Sequence, residues 1–257
     1  MLLSGALNGA ADSDREELPM SPAPTIVLVH GAFADASSWQ PVTERLLAAG
    51  HRVAAPPVAG RSLAADAAYV ASFVERIDGP VLLAGHSYGG AVITVAGVSD
   101  NVAGLVYVSG YALEEGESLG QLQGGFPDSD LAAHLVYTPY STGAGQSGTD
   151  VWVDPAAFPA VFAAGLDPLT AQALAVSQRP LSAAAFGEPA AVAAWKTTPG
   201  WGIVSAADHT INPEVERFGY RRAALREVVE IDAPHLVMHT HPDEVVRVIT
   251  GALGEIA

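Results

Sequence analysis

Val81-Leu82-Leu83-Ala84-Gly85-His86-Ser87-Tyr88-Gly89-Gly90 is the stretch that decides the fold. Its four leading apolar residues suit a strand buried on both faces. Gly-x-Ser-x-Gly follows, then the apolar segment Ala91-Val92-Ile93-Thr94-Val95-Ala96, which predicts a helix despite its β-branched residues. Strand, tight turn and helix is the context in which this motif builds a nucleophile elbow. The residue at the tip of such a turn is strained and needs small neighbours. Gly85 and Gly89 supply them, two positions either side of Ser87. The Ser87 hydroxyl then stands beside a helix N-terminus, where developing negative charge is favoured.

A serine alone is a weak nucleophile and needs a base, an orienting acid and oxyanion donors from the rest of the chain. Thr25-Ile26-Val27-Leu28-Val29 reads as a second buried strand. It ends in His30-Gly31-Ala32-Phe33, before a helix that starts near Ser37 or Ser38 with Pro41 in its first turn. The backbone N–H of Ala32 is the expected first oxyanion donor, and the N–H of Tyr88 the second. His30 is read as a loop-shaping residue held by hydrogen bonds.

Two late strands supply the remaining candidates. Trp201-Gly202-Ile203-Val204-Ser205-Ala206 ends in Ala207-Asp208-His209, and Pro213 opens a helix to about Ala224. Glu227-Val228-Val229-Glu230-Ile231 ends in Asp232-Ala233-Pro234-His235, and Pro242 starts a terminal amphipathic helix. In a parallel sheet all such strand ends share one edge, the edge that carries Ser87. This grouping selects His235 as base and Asp208 as acid. Asp232 lies too near His235 in sequence to sit across the imidazole from the serine, and suits a turn cap. Of the eight histidines, His51 and His134 lack a strand-end context. His86 points away from the serine, and His239 and His241 belong to the start of the last helix. His209 is expected to line the pocket or face water.

These motifs, with Trp39 and Gly50-His51-Arg52-Val53, resemble the α/β-hydrolase superfamily. More narrowly they resemble small bacterial esterase-like members, and are similar to plant methylesterases and hydroxynitrile lyases. The resemblance covers about residues 25–115 and 199–254. It implies a catalytic triad of Ser87, Asp208 and His235, and no cofactor or metal. Hydroxynitrile lyases of this kind carry a lysine directly after the catalytic histidine. Leu236 stands there in this chain, whose only lysine is Lys196, so cyanohydrin cleavage is disfavoured.

The expected fold is α/β: a mostly parallel central sheet with helices on both faces and a helical cap insertion. Residues 25–115 and 199–257 form the core, 116–198 the cap, and 1–24 a disordered acidic leader with no basic n-region. In the cap, Ser141-Thr142-Gly143-Ala144-Gly145 is loop-like, and Trp152, Phe158, Phe162, Phe186 and Trp195 are apolar anchors. Phe33, Tyr111, Trp195 and His209 are the expected substrate-binding residues. The 257 residues with 49% hydrophobic content suit one large core, and zero cysteines exclude disulfides. A net charge of −16 disfavours nucleic acid and anionic membranes as partners. The expected partner is a small-molecule substrate, with a homodimer compatible, in the cytoplasm. Three function classes stay open at this point. One is a serine hydrolase of esters, lactones or thioesters. Another is a cofactor-free lyase, cyclase or perhydrolase on the same triad. The third is a non-catalytic ligand-binding member.

Overall fold

Thr25–Val29 is buried at every position, as a strand covered on both faces must be. It is the first of nine strands in a computed structural model that describes residues 22–141, 145 and 147–256. The expected leader lies almost wholly outside the described residues. In chain order the strands are β1 (Thr25–Val29), β2 (Arg52–Ala54), β3 (Val81–His86), β4 (Val102–Val108), β5 (Leu135–Ser141), β6 (Ser147–Val153), β7 (Leu181–Ser182), β8 (Gly200–Ser205) and β9 (Glu227–Ile231).

Six of them form one sheet in the order β2-β1-β3-β4-β8-β9, with every pairing parallel. The register brings the strand ends level: Val29 pairs with Gly85, His86 with Val108, Val108 with Ile203, and Ser205 with Ile231. The loops after β1, β3, β4, β8 and β9 therefore meet at one edge. The strand order reverses between β1 and β3, since β2 lies outside β1. Such a switch point opens a crevice above the sheet. Ala32 follows β1 and Ser87 follows β3, so the two flank it.

Helices lie around this sheet. Gln40–Ala48 packs with the terminal helix Pro242–Ile256, and Leu63–Val74 packs with Tyr88–Ala96. Asn212 caps the helix Pro213–Arg222, its side chain accepting from the Glu214 N–H, and Pro213 occupies the first turn. Trp39, Tyr107 and Trp201 are wholly buried in the core between these layers.

The insertion differs from the expected helical cap. Short helices are present, at Leu119–Gln123, Phe158–Val161, Pro168–Val176 and Ala183–Gly187. Beside them β5, β6 and β7 form a three-stranded antiparallel sheet. The β5–β6 pairing runs from Leu135 against Val153 to Ser141 against Ser147. Of the stretch expected to be loop-like, Ser141 ends β5, and 142–144 lie outside the described residues. β5 is mostly exposed and contains Pro139, a residue that a sheet tolerates only at its edge.

The motif glycines are required by close approach. A Cβ on Gly85 would lie 2.4 Å from Gly89 O, and one on Gly89 would lie 2.3 Å from Val29 O. Both obstacles are backbone. Gly89→Ala is expected to lower stability by about 3 kcal/mol through overpacking. Gly251→Ala, in the terminal helix with nothing within 4 Å, is expected to gain up to about 1 kcal/mol from helix propensity. Urea melts of the two variants check both signs.

Candidate active site

Ser87 leaves β3 with φ 55° and ψ −122°, a conformation that costs a non-glycine residue about 1–3 kcal/mol. Three backbone hydrogen bonds hold it there. Ser87 N–H donates to Val108 O at 3.2 Å, and its own carbonyl accepts from Gly90 N–H at 2.9 Å and Tyr111 N–H at 3.3 Å. The strain is thus fixed by β4 and by the following helix.

The Ser87 side chain borders a cavity of about 330 Å³. Ala32, Phe33, Tyr88 and Tyr111 also line it, with cap residues that include Leu119, Leu131, Val151, Leu181 and Phe186. Neither the Ala32 nor the Tyr88 N–H has a hydrogen-bond partner among the described residues. The Phe33 N–H, in contrast, is taken by Arg179 O at 2.9 Å. His30 shapes this loop. Its Nδ1–H donates to Gly31 O at 2.9 Å, and its Nε2 accepts from Val58 N–H at 2.9 Å. Burial holds its pKa below the ordinary value, which suits the neutral ring that this pattern needs.

His235 and Asp208 come together from the ends of β9 and β8. His235 Nδ1–H donates to Asp208 Oδ2 at 2.6 Å, and both side chains are buried. Asp208 Oδ1 accepts the N–H groups of Thr210 at 2.6 Å and Ile211 at 3.0 Å. With Nδ1 protonated, Nε2 carries the lone pair, and it is buried with no hydrogen-bond partner. His86 packs against the ring at 4.6 Å and donates its Nε2–H to His235 O at 3.0 Å. Its total burial pushes its own pKa well down and keeps it neutral. Phe162, from the cap, lies edge-on to the His235 ring at 5.0 Å. This apolar cover excludes water from one side of the imidazole.

Phe33 and Tyr111 line the cavity, whereas Trp195 and His209 do not. Trp195 is drawn elsewhere because its indole N–H donates to Leu113 O at 2.7 Å. His209 faces solvent and contacts Asp130 Oδ2 at 2.7 Å. The reason is local: Asp208 turns inward to its backbone donors, so the next side chain turns out. Asp232 is exposed and has no partner among the described residues.

Two contributors were missed. Tyr88 OH donates to Asp66 Oδ2 at 2.8 Å, and the same carboxylate accepts the N–H groups of Ala59 and Gly60. A signal for Asp66 existed, since it shares a helix face with the buried Val70 and Val74 at four-residue spacing. An acid on an apolar stripe needs a polar purpose. Phe162 was read only as a cap anchor, and no sequence pattern places it on His235.

Among the described residues, no helix is long and apolar enough to cross a membrane.

Comparison with known proteins adds the lineage. The sequence profile described as "Alpha/beta hydrolase family" matches residues 26–248. A carbendazim hydrolyzing esterase of Nocardioides sp. is 35% identical over 109 residues, 36% of this chain and 44% of that protein. A pyrethroid hydrolase of Sphingobium wenxiniae is 34% identical over 98 residues, 33% of this chain and 35% of that protein. The matched segments thus span less than half the length of either curated relative. The solved structure of polyneuridine aldehyde esterase superposes with a TM-score of 0.77 at 18% identity, covering 90% of this chain and 99% of that one. A methylesterase from Arabidopsis superposes at 0.73 with 19% identity, covering 90% and 99%.

Proposed function

Because this chain belongs to the α/β hydrolase family, we propose that it is a serine hydrolase of carboxylic esters, lactones or thioesters, acting through an acyl-enzyme at Ser87. The observation that carries the reading is the buried Asp208–His235 pair. Its free nitrogen is Nε2, and it shares a sheet edge with the strained Ser87. The two sequence relatives, a carbendazim hydrolyzing esterase and a pyrethroid hydrolase, point the same way.

Ser87 Oγ attacks the carbonyl carbon while His235 Nε2 takes the hydroxyl proton. Asp208 stabilises the imidazolium so formed. The N–H groups of Ala32 and Tyr88 hold the oxyanion of the tetrahedral intermediate. Collapse expels the alcohol, which receives the proton from His235. Water then attacks the acyl-enzyme with His235 again as base; collapse breaks the bond to Ser87 Oγ, which takes the proton back from His235 as the carboxylic acid leaves.

The cavity supports a reading of the substrate class. Among the described residues its lining is largely apolar and contains no lysine or arginine, and the one formal charge is Asp128. A small, neutral, largely apolar ester fits; a carboxylate-bearing one would enter without a counter-ion. A panel of p-nitrophenyl esters should show kcat/KM at least about tenfold lower for an acyl chain ending in a carboxylate than for its neutral isostere. Equal rates for the two would contradict the substrate class. Absence of turnover on every ester, with a lyase or perhydrolase product instead, would replace hydrolysis on the same residues.

A further inference from the structure

Glu216 is the one buried acid that the proposed mechanism leaves unused beside the catalytic pair. It lies in the helix Pro213–Arg222 and is 1% exposed. One oxygen, Oε2, accepts the Ser205 N–H at 3.0 Å. The other, Oε1, is buried with no hydrogen-bond partner. The opposing charge felt by the group is that of Arg217. Arg217, the next residue, reaches outward to Glu214 and Glu230. The groups around Glu216 are Asp208 at the end of β8, Tyr220 on its own helix and Tyr111 after β4. Tyr220 is already engaged, its hydroxyl accepting Gly110 N–H at 2.9 Å and donating toward Ile203 O.

Burial and the Asp208 charge both disfavour a second anion at Glu216, and outward-facing Arg217 opposes them only in part. Asp208 accepts two backbone N–H groups and the His235 N–H, three donors that favour its anion. Glu216 has only one donor. We propose that Glu216 is a positioning residue: a neutral carboxylic acid at working pH whose Oε1–H donates to the Asp208 carboxylate. It braces Asp208 from the helix side while Asp208 braces His235. A carboxylate can accept about four such bonds, so the fourth donor completes the set. Burial first, and the Asp208 charge second, hold the Glu216 carboxyl well above the usual carboxylate range. This role rests on the reading of His235 as the base oriented by Asp208.

Stability carries the same signature. The unfolded chain releases this proton near 4.5, and the folded chain releases it only at much higher pH. Stability contributed by the proton is therefore complete below the first value and falls as pH rises toward the second. Glu216→Gln removes that fall, so its melting temperature should gain on the wild type by about 3 °C or more between pH 5 and pH 8.

The deciding experiment is infrared spectroscopy of the wild-type protein carrying 13C-carboxyl glutamate at pH 7, with Glu216→Gln and Glu216→Met beside it. A protonated-carboxyl stretch that shifts with the label is expected in the wild type and absent from Glu216→Gln. Its absence from the wild type would overturn the proposal, even if neither variant folds. Glu216→Gln keeps a donor and should retain kcat within about threefold, whereas Glu216→Met should lose about tenfold or more. Equal losses in the two variants would mean that the donor is not used. If the acid limb of kcat/KM in Glu216→Gln moved about one unit or more to lower pH, Glu216 would have been an anion. The infrared band reports the Glu216 proton whether or not Ser87 forms an acyl-enzyme, so failure of the mechanism and failure of this role remain separable.

Discussion

Ser87→Ala is expected to lower kcat by about three orders of magnitude or more, with an unchanged melting profile. The hydroxyl is the only atom removed. Ser87 is held by backbone bonds to Val108, Gly90 and Tyr111, and the serine side chain makes none of them. Alanine at φ 55° carries the same left-handed strain as serine. The fold therefore keeps its elbow and loses its nucleophile. Steady-state turnover of the best ester in the panel, read beside a thermal melt, checks both halves. Turnover near the wild-type rate would remove the covalent mechanism.

Asp208→Asn should be nearly as severe, at about three to four orders of magnitude in kcat. Oδ1 must remain an oxygen, because it accepts the N–H groups of Thr210 and Ile211. The amide NH2 is thereby forced into the place of Oδ2, facing His235 Nδ1. A donor in that place selects the tautomer with its proton on Nε2, and such a ring cannot take a proton from serine. Asp232→Asn should change kcat by no more than about twofold, because that side chain is exposed and unpartnered among the described residues. An inactive Asp232→Asn with a working Asp208→Asn would move the acid to the other loop.

The centre of the parallel sheet was legible because β1, β3, β4 and β8 are short runs of mostly buried, largely apolar residues. β1 and β9 begin and end where the sequence places them, and β8 is shifted by one residue at each end. The grouping of Ser87, Asp208 and His235 follows from topology, since parallel strands send every following loop to one edge. The cap was less legible for two physical reasons. Its strands β5 and β6 pair through the backbone while most β5 side chains face solvent, so they leave no alternation of apolar residues. Its polar ties to the core are long-range bonds, such as the Arg61–Asp150 ion pair and Arg61 to Pro180 O, which no local pattern announces. Trp195 and His209 show the same limit: each is oriented by one hydrogen bond, to Leu113 and Asp130 respectively. Glu216 was invisible for a different reason. A Glu in the first turn of a helix is ordinary at a positive helix end, and only burial separates it from the exposed Glu214.

The central claim is that Ser87 is a nucleophile activated by His235, and covalent labelling tests it most directly. The folded protein is treated with a fluorophosphonate, its intact mass measured, and the modified peptide sequenced. The account predicts one adduct per chain, on Ser87, formed rapidly in the wild type, at least about a hundredfold more slowly in His235→Ala, and not at all in Ser87→Ala. An unlabelled wild-type protein, or an adduct on a residue other than Ser87, would contradict it.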